Sequence, residues 1–323
     1  MTAADGGDWI AVDWGTTNMR AALVGADGTV RARAADGPGM AALDGEAARF
    51  ETALLAAVGV WLDDGADAPL DVLVCGMAGA RQGWVEAPYR DVPAALDGLL
   101  DAAVPAPTAE ERLSVRIVPG LCRRGDRPDV MRGEETQLLG LLAREGVADA
   151  LVCLPGTHSK WATVTGGRVV DFATHLTGEL FALLSERSIL RHSLPAGGIA
   201  ADRDADAADR DADAADRDAD AFDRGVEDAL ARPDMVLASL FALRAADLLT
   251  GPAPARAAAR LSGLLIGAEV AVAAVAGRGV HIVGGRVRSR YARAIRIAGG
   301  HPLGHDGGDL AVAGLAAMRQ GAR

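Results

Sequence analysis

Two short stretches of this chain pair a glycine turn with hydroxyls, a carboxylate or an ammonium. In D-W-G-T-T-N, residues 13–18, Gly15 sits between two apolar runs. Such a turn can gather backbone N–H groups and the hydroxyls of Thr16 and Thr17 into one concavity that suits phosphate oxygens. Asp13, at the end of the first run, offers the oxygen ligand that Mg²⁺ prefers, directly or through water. In L-P-G-T-H-S-K-W, residues 154–161, a second turn holds Gly156, Thr157 and then Lys160. Lys160 is the only lysine among 33 basic residues, and Asn18 the only asparagine. A chain that otherwise uses Arg thus places its one compact point charge in a Gly-Thr turn, and Lys serves phosphate as a point charge. No G-x-x-x-x-G-K-[ST] occurs, so a P-loop is excluded. Ordinary hairpin turns use the same residue types.

Three further stretches carry polar chemistry. In V-H-I-V-G-G-R-V-R-S-R-Y, residues 280–291, a strand meets Gly284-Gly285 and then a helix, which lets a flat adenine approach the backbone. In M-R-G-E-E-T-Q-L-L-G, residues 131–140, Glu134 and Glu135 start a helix, where the macrodipole favours ionised carboxylates. Either can accept a hydroxyl proton in phosphoryl transfer, and helix-start electrostatics alone also explains them. In C-G-M-A-G-A-R-Q-G-W-V-E-A-P-Y, residues 75–89, Arg81, Gln82, Trp84 and Glu86 equip a Gly-rich loop for a polyhydroxylated anion. The guanidinium would take a carboxylate bidentately.

The elements that must position these groups alternate between strands and helices, so the class is α/β. Apolar runs bounded by Gly and Asp predict strands at 9–13, 19–24, 29–34, 71–77 and 113–120. Helical spacing predicts 46–62, with Phe50, Leu54, Leu55, Val58 and Trp61 on one stripe, and 134–144. Strands follow at 151–154, 160–164 and 168–174, then helices at 222–230, 235–249 and 257–276, and a strand at 280–283. Laying Gly15-Thr16 on Gly156-Thr157 superposes two strand–turn–strand–turn–strand units, the second hairpin about two residues shorter. That is the expectation for an internally duplicated, two-lobed fold.

Composition narrows the class. Half of the 323 residues are apolar and the net charge is −11, which argues against nucleic acid as a partner. Residues 202–224 hold ten Asp and four Arg, so −6 of that charge is local. There DRDADAA recurs at 202, 209 and 216, too polar for a coiled-coil seam and best read as a solvated, partly helical insertion. Cys75, Cys122 and Cys153 lie in or beside apolar runs, as reduced packing thiols would. Neither a secretory leader nor a bilayer-spanning run is visible, so a soluble cytoplasmic protein without membrane partner is expected.

Together, DWGTTNMRA, CGMAGARQGW, VPGL, DVMRGEETQLLG, LPGTHSKW and HLTGELF strongly resemble the 2-dehydro-3-deoxygalactonokinase family, over nearly the whole chain outside 200–221. The resemblance implies the two-lobed actin-like ATPase (ribonuclease H-like) fold, each lobe a mixed sheet flanked by helices. The lobes are expected at 1–145 and 146–323, with an active site between them and the Asp/Arg insertion at about 200–221. It implies ATP and Mg²⁺, and phosphorylation of the 6-hydroxyl of 2-dehydro-3-deoxy-D-galactonate in D-galactonate breakdown. Asp13, Gly15, Thr16 and Thr17 then resemble the first phosphate loop, Gly156, Thr157 and Lys160 the second, and Gly284-Gly285 the adenosine contact. Glu134 is the expected base with Glu135 close behind. Asn18, Arg81, Gln82, Trp84, Thr177 and Glu179 are the expected substrate contacts. A kinase of the gluconate-derived epimer, a non-catalytic sugar-acid sensor and a chaperone-like ATPase remain as alternatives. Homo-oligomerisation is left open.

Overall fold

The computed structural model describes residues 7–43, 45–62, 68–195, 212–285 and 287–321, with 212–217 described by backbone alone. Continuous apolar runs become strands buried on both faces. In chain order the first part holds β1 (Trp9–Trp14), β2 (Asn18–Val24), β3 (Val30–Arg33), β4 (Gly37–Pro38), α1 (Ala47–Val58) and β5 (Leu70–Gly76). After these come β6 (Tyr89–Asp91), β7 (Ala94–Ala95), β8 (Val104–Pro105), β9 (Leu113–Ile117), β10 (Gly120–Arg123), β11 (Asp129–Met131) and α2 (Glu134–Glu145). The first sheet runs β3-β2-β1-β5-β9-β8, with β1 antiparallel to β2 and parallel to β5. The helix α1 buries Phe50, Leu54 and Val58 on the predicted stripe and ends in a 3₁₀ turn that buries Trp61.

The second part holds β12 (Ala150–Leu154), β13 (Ser159–Thr165), β14 (Arg168–His175), α3 (Thr177–Arg187), α4 (Ala212–Ala231), α5 (Val236–Thr250) and α6 (Pro254–Ala273). It ends with β15 (Gly279–Val283), α7 (Arg288–Ile297), β16 (His301–His305) and α8 (Gly307–Gly321). Its sheet contains the order β14-β13-β12-β15-β16, with β15 parallel to both β12 and β16. Counted from the strand before each Gly-Thr turn, both sheets therefore follow the order third, second, first, fourth, fifth. This is the ribonuclease H-like arrangement of the actin-like ATPases, present twice. The helix α4 begins ten residues before the predicted Phe222, because the Ala-rich end of the Asp/Arg repeat continues it. The earlier repeat, through residue 211, lies outside the described residues.

Two compact units emerge. The first contains Met1–Ala150, Ala162–Phe172 and Asp306–Arg323, and the second contains Leu151–Trp161 and Ala173–His305. They are not consecutive halves of the chain, since α8 belongs to the first unit. There α2 and α8 cross backbone to backbone: a Cβ on Gly140 would lie 2.0 Å from the Leu310 carbonyl oxygen, and one on Gly314 only 1.9 Å from that of Thr136. The second unit uses the same device between α4 and α6, where a Cβ on Gly263 would lie 2.1 Å from the Phe222 carbonyl oxygen. All three cysteines are free and buried. Among the described residues no helix is long and apolar enough to cross a membrane.

A helix-interior Gly→Ala change ordinarily stabilises by about 0.5–1 kcal/mol. At Gly314 the sign should reverse, because overpacking costs about 1–3 kcal/mol. Thermal unfolding of Gly314→Ala is expected to give a lower Tm than wild type. An equal or higher Tm would show that α2 and α8 are not held at contact distance.

Candidate active site

The first Gly-Thr turn joins β1 to β2 and is held from behind by the segment after β4. Gly39 N–H donates to Thr17 O at 2.9 Å, Met40 N–H to Gly15 O at 3.1 Å and Ala41 N–H to Thr16 O at 3.0 Å. Only glycine fits at position 39, where a Cβ would lie 2.3 Å from the Thr17 carbonyl carbon. With its carbonyls engaged, the turn leaves Thr16, Thr17 and Asn18 exposed. Among the described residues the N–H groups of Thr16 and Thr17 have no acceptor. Free N–H groups and hydroxyls on one exposed bend form an anion-binding surface.

The second turn, between β12 and β13, repeats this. Glu179 N–H donates to Thr157 O at 3.0 Å, and a Cβ on Gly178 would lie 2.6 Å from Gly156 O. Glu179 also pairs with His158 Nε2 at 2.5 Å, so the start of α3 grips the turn twice. Gly156 and Thr157 are exposed, while Lys160 is only 8% exposed and donates from Nζ to His158 O at 3.1 Å. Gly284 packs on Pro155, the residue before the turn, and nothing lies within 4 Å of a Cβ at Gly285. The predicted adenosine motif thus borders the second turn with open space above Gly285.

A carboxylate cluster forms in the first unit. Gly76, with φ 90°, and Gly133, with φ 102°, let the ends of β1 and β5 meet the start of α2. A Cβ on Gly76 would lie 2.5 Å from Trp14 O, and one on Gly133 would lie 3.2 Å from Gly76 Cα. Glu135 is fully buried, and its two oxygens accept from Gly133 N–H at 2.9 and 2.7 Å, with Thr136 Oγ1 donating at 3.1 Å. Burial, and next the charge of Glu134, push its pKa up to about 8, against those hydrogen bonds. Glu135 therefore holds a proton at neutral pH. Glu134 is half-buried and accepts from Arg132 N–H at 3.0 Å.

Asp13 is paired in register with Cys75, whose Sγ donates weakly to Oδ1 at 3.9 Å. Burial raises the Asp13 pKa, Arg20 opposes this, and Glu134 adds to the rise. A desolvated carboxylate facing a second one suits a hard cation that keeps waters and phosphate oxygens as its other ligands. Among the described residues no three or more His, Cys, Asp or Glu are grouped to hold a metal by themselves.

Of the expected substrate contacts, Arg81 and Gln82 are exposed, Arg81 at 81% of its side chain with Glu86 at 3.6 Å. Their loop is set by close packing, since a Cβ on Gly83 would lie 2.3 Å from Ala78 O. Trp84 is a correction. It is buried against Trp14 and Phe50, with centroids at 6.0 and 6.1 Å, and its indole N–H donates to Pro107 O, so it packs the core instead of meeting a ligand. Thr177 is buried at the start of α3, and the Glu179 side chain, 43% exposed, pairs with His158. The sequence reading missed the two bracing glycines, Gly39 and Gly178. Their offsets from Gly15 and Gly156, 24 and 22 residues, differ by the same two residues as the hairpins and were the available signal. It also missed Arg132, a buried guanidinium that stacks over Tyr89 at 4.3 Å and donates to Ala87 O, fixing the far end of the Arg81 loop.

Comparison with known proteins places the chain in a family. The family model described as 2-keto-3-deoxy-galactonokinase matches residues 13–318. A Rhizobium meliloti (strain 1021) protein assigned as a 2-dehydro-3-deoxygalactonokinase is 42% identical over 333 residues, 98% of this chain and 97% of that one. The 2-dehydro-3-deoxygalactonokinase of Escherichia coli (strain K12) is 36% identical, over 81% of this chain and 79% of its own. A crystal structure of a Sinorhizobium meliloti protein assigned to the same activity superposes with a TM-score of 0.80 at 39% identity, covering 97% of this chain and 96% of that chain. With the match running almost end to end, the chain belongs to the 2-keto-3-deoxy-galactonokinase family.

Proposed function

We propose that the chain transfers the γ-phosphoryl group of ATP to the 6-hydroxyl of 2-dehydro-3-deoxy-D-galactonate in D-galactonate catabolism. The observation that carries the ATP reading is the pair of Gly-Thr turns, each backed by a later segment through a close glycine and each leaving its Thr exposed. The substrate comes from the names of the relatives in the family. Gly15, Thr16, Thr17, Gly156, Thr157 and Lys160 are assigned to the phosphates, and Gly284 and Gly285 to the adenosine. Asp13 would hold Mg²⁺, directly or through water, and that ion neutralises charge on the phosphates. Arg81, with Gln82 and Asn18, is assigned to the sugar acid. The expected place of action is the cytoplasm, where ATP is made available.

Glu134 is the better base of the two adjacent carboxylates. A base must be ionised and reachable, and Glu135 is neither: it is buried, protonated at neutral pH and occupied with Gly133. Glu135 instead closes the first turn of α2 and so orients Glu134. Phosphoryl transfer asks the protein chiefly for position and charge, which these fixed groups supply.

A coupled ADP-release assay across sugar acids tests the whole reading. Turnover is expected with 2-dehydro-3-deoxy-D-galactonate and Mg²⁺. Faster turnover of the gluconate-derived epimer would reassign the substrate, and ATP hydrolysis indifferent to any sugar acid would discard the kinase.

Glu134→Gln is expected to lower kcat by about 10²-fold, the usual size of general-base catalysis, with a smaller change in KM. Unchanged kcat in that variant would take the role away from Glu134.

The buried neighbour predicts a pH effect on stability. The Glu135 pKa rises from an ordinary 4.5 to about 8 on folding. Between those values the unfolded chain binds fewer protons than the folded one, so this contribution to stability is lost as pH rises toward 8. Glu135→Gln removes that titration, so its Tm relative to wild type should climb steadily from about pH 5 to about pH 8. A Tm difference that is flat with pH would show that Glu135 is ionised in the folded protein.

A further inference from the structure

Behind the second turn lies a buried polar cluster that the reaction as described does not use. Glu269, on α6, is 1% exposed among Ile266, Val270 and Cys153 in the core of the second unit. Its Oε2 accepts from Trp161 Nε1–H at 2.9 Å and its Oε1 from the Tyr291 hydroxyl at 2.8 Å. Trp161 directly follows Lys160 on β13, and Tyr291 lies in α7, the helix entered from Gly284-Gly285. Tyr291 also shares a hydrogen bond with Ser159, the residue before Lys160. One carboxylate therefore bonds to the strand that carries the phosphate-binding ammonium and to the helix that follows the adenosine motif.

Packing alone does not account for it. A carboxylate inside an apolar core costs stability that Met or Leu at the same place would not, and hydrophobic replacement of a whole buried polar group is often neutral or stabilising. The pairing of β12 with β15 joins the strands that lead into the two motifs, and Glu269 adds a side-chain tie from β13, which carries Lys160, to α7, which follows Gly285. We infer that Glu269 is a positioning residue for the nucleotide, holding the Lys160 strand and the Gly284-Gly285 helix in fixed register through Trp161 and Tyr291. The inference rests on the assignment of those two motifs to ATP.

Three full-length proteins test it, with KM for ATP and for the sugar acid, ATP binding by titration, and Tm measured on each. Glu269→Gln keeps both links, since its amide oxygen accepts from Trp161 and its amide N–H donates to Tyr291 Oη. Its KM for ATP should stay within about twofold of wild type. The triple variant Glu269→Met, Trp161→Phe, Tyr291→Phe removes the links and leaves Ser159, whose Oγ still donates to His175 O, as the one polar side chain of the cluster. Its Tm should hold, while its KM for ATP rises about tenfold and its KM for the sugar acid moves less than about twofold. Wild-type ATP affinity in the triple variant overturns the inference. So does a fall in Tm with equal rises in both KM values, the mark of a packing role. Wild-type protein that binds no ATP in the same titration would remove the kinase reading, and this inference with it.

Discussion

A chain bend binds an anion only if its N–H groups point outward and its carbonyls are satisfied elsewhere, because an exposed carbonyl oxygen repels phosphate. Both Gly-Thr turns are backed in this way, by three N–H groups at the first and by one, from Glu179, at the second. A later segment donates its own N–H groups into the carbonyls from behind, and a glycine lets the two backbones touch. Gly39 and Gly178 are those glycines, and a side chain at either would collide with the turn it supports. The outward N–H groups of Thr16 and Thr17 are a consequence of this backing, as is the exposure of Thr157. Because the two sheets share one strand order, the brace falls at nearly the same offset in each. An internally duplicated fold has thus carried the same backed Gly-Thr turn into both copies.

The carboxylate cluster depends on close approach of a different kind. Gly76 and Gly133 occupy backbone conformations with positive φ that side chains rarely adopt, and they meet at the ends of β5 and the start of α2. This juxtaposition puts Glu135 into the interior and leaves Glu134 at its edge. Burial and the Glu134 charge then push the Glu135 carboxyl up to about 8, against the hydrogen bonds it accepts from Gly133 N–H and Thr136 Oγ1. The helix itself is kept in place by α8, whose crossing at Gly140 and Gly314 leaves no room for adjustment.

Much of this was legible in the sequence where the signal is local. Apolar runs punctuated by Gly gave the strands flanking both turns within a residue or two, and helical spacing gave α1 and α2. DWGTTN and LPGTHSKW announced the turns because few other residue types tolerate so tight a bend. What stayed hidden depends on partners distant in the chain. Two-residue strands such as β7 exist only through pairing, here with Arg168 and Val169, and have no periodicity of their own. The membership of α8 in the first unit follows from glycines in two helices far apart in sequence. Trp84 misled for another reason: an aromatic ring in a Gly-rich loop suits stacking on a ligand as well as filling a core. The neighbouring rings of Trp14 and Phe50, invisible in one dimension, decide it. The contacts of Glu179 with the second turn likewise depend on α3 folding back onto a loop about twenty residues earlier.

The single lysine can now be understood physically. Position 160 is almost wholly buried, on a strand whose next residue reaches the Glu269 carboxylate, and its ammonium meets the carbonyl of His158. A guanidinium there would bring five N–H donors in a rigid fork, each needing an acceptor in a place with little water, whereas an ammonium brings three that rotate freely. Arg81 and Arg232 are exposed beside surface carboxylates, while the buried Arg132 needs the flat face of the Tyr89 ring to lie against. Lys160 fits beneath a turn without such a face. His158 completes the arrangement: its ring is held by Glu179 at the start of α3, and its carbonyl by Lys160. The cation and the brace of the second turn therefore converge on one residue, and a displacement of α3 would move the bend and its charge together.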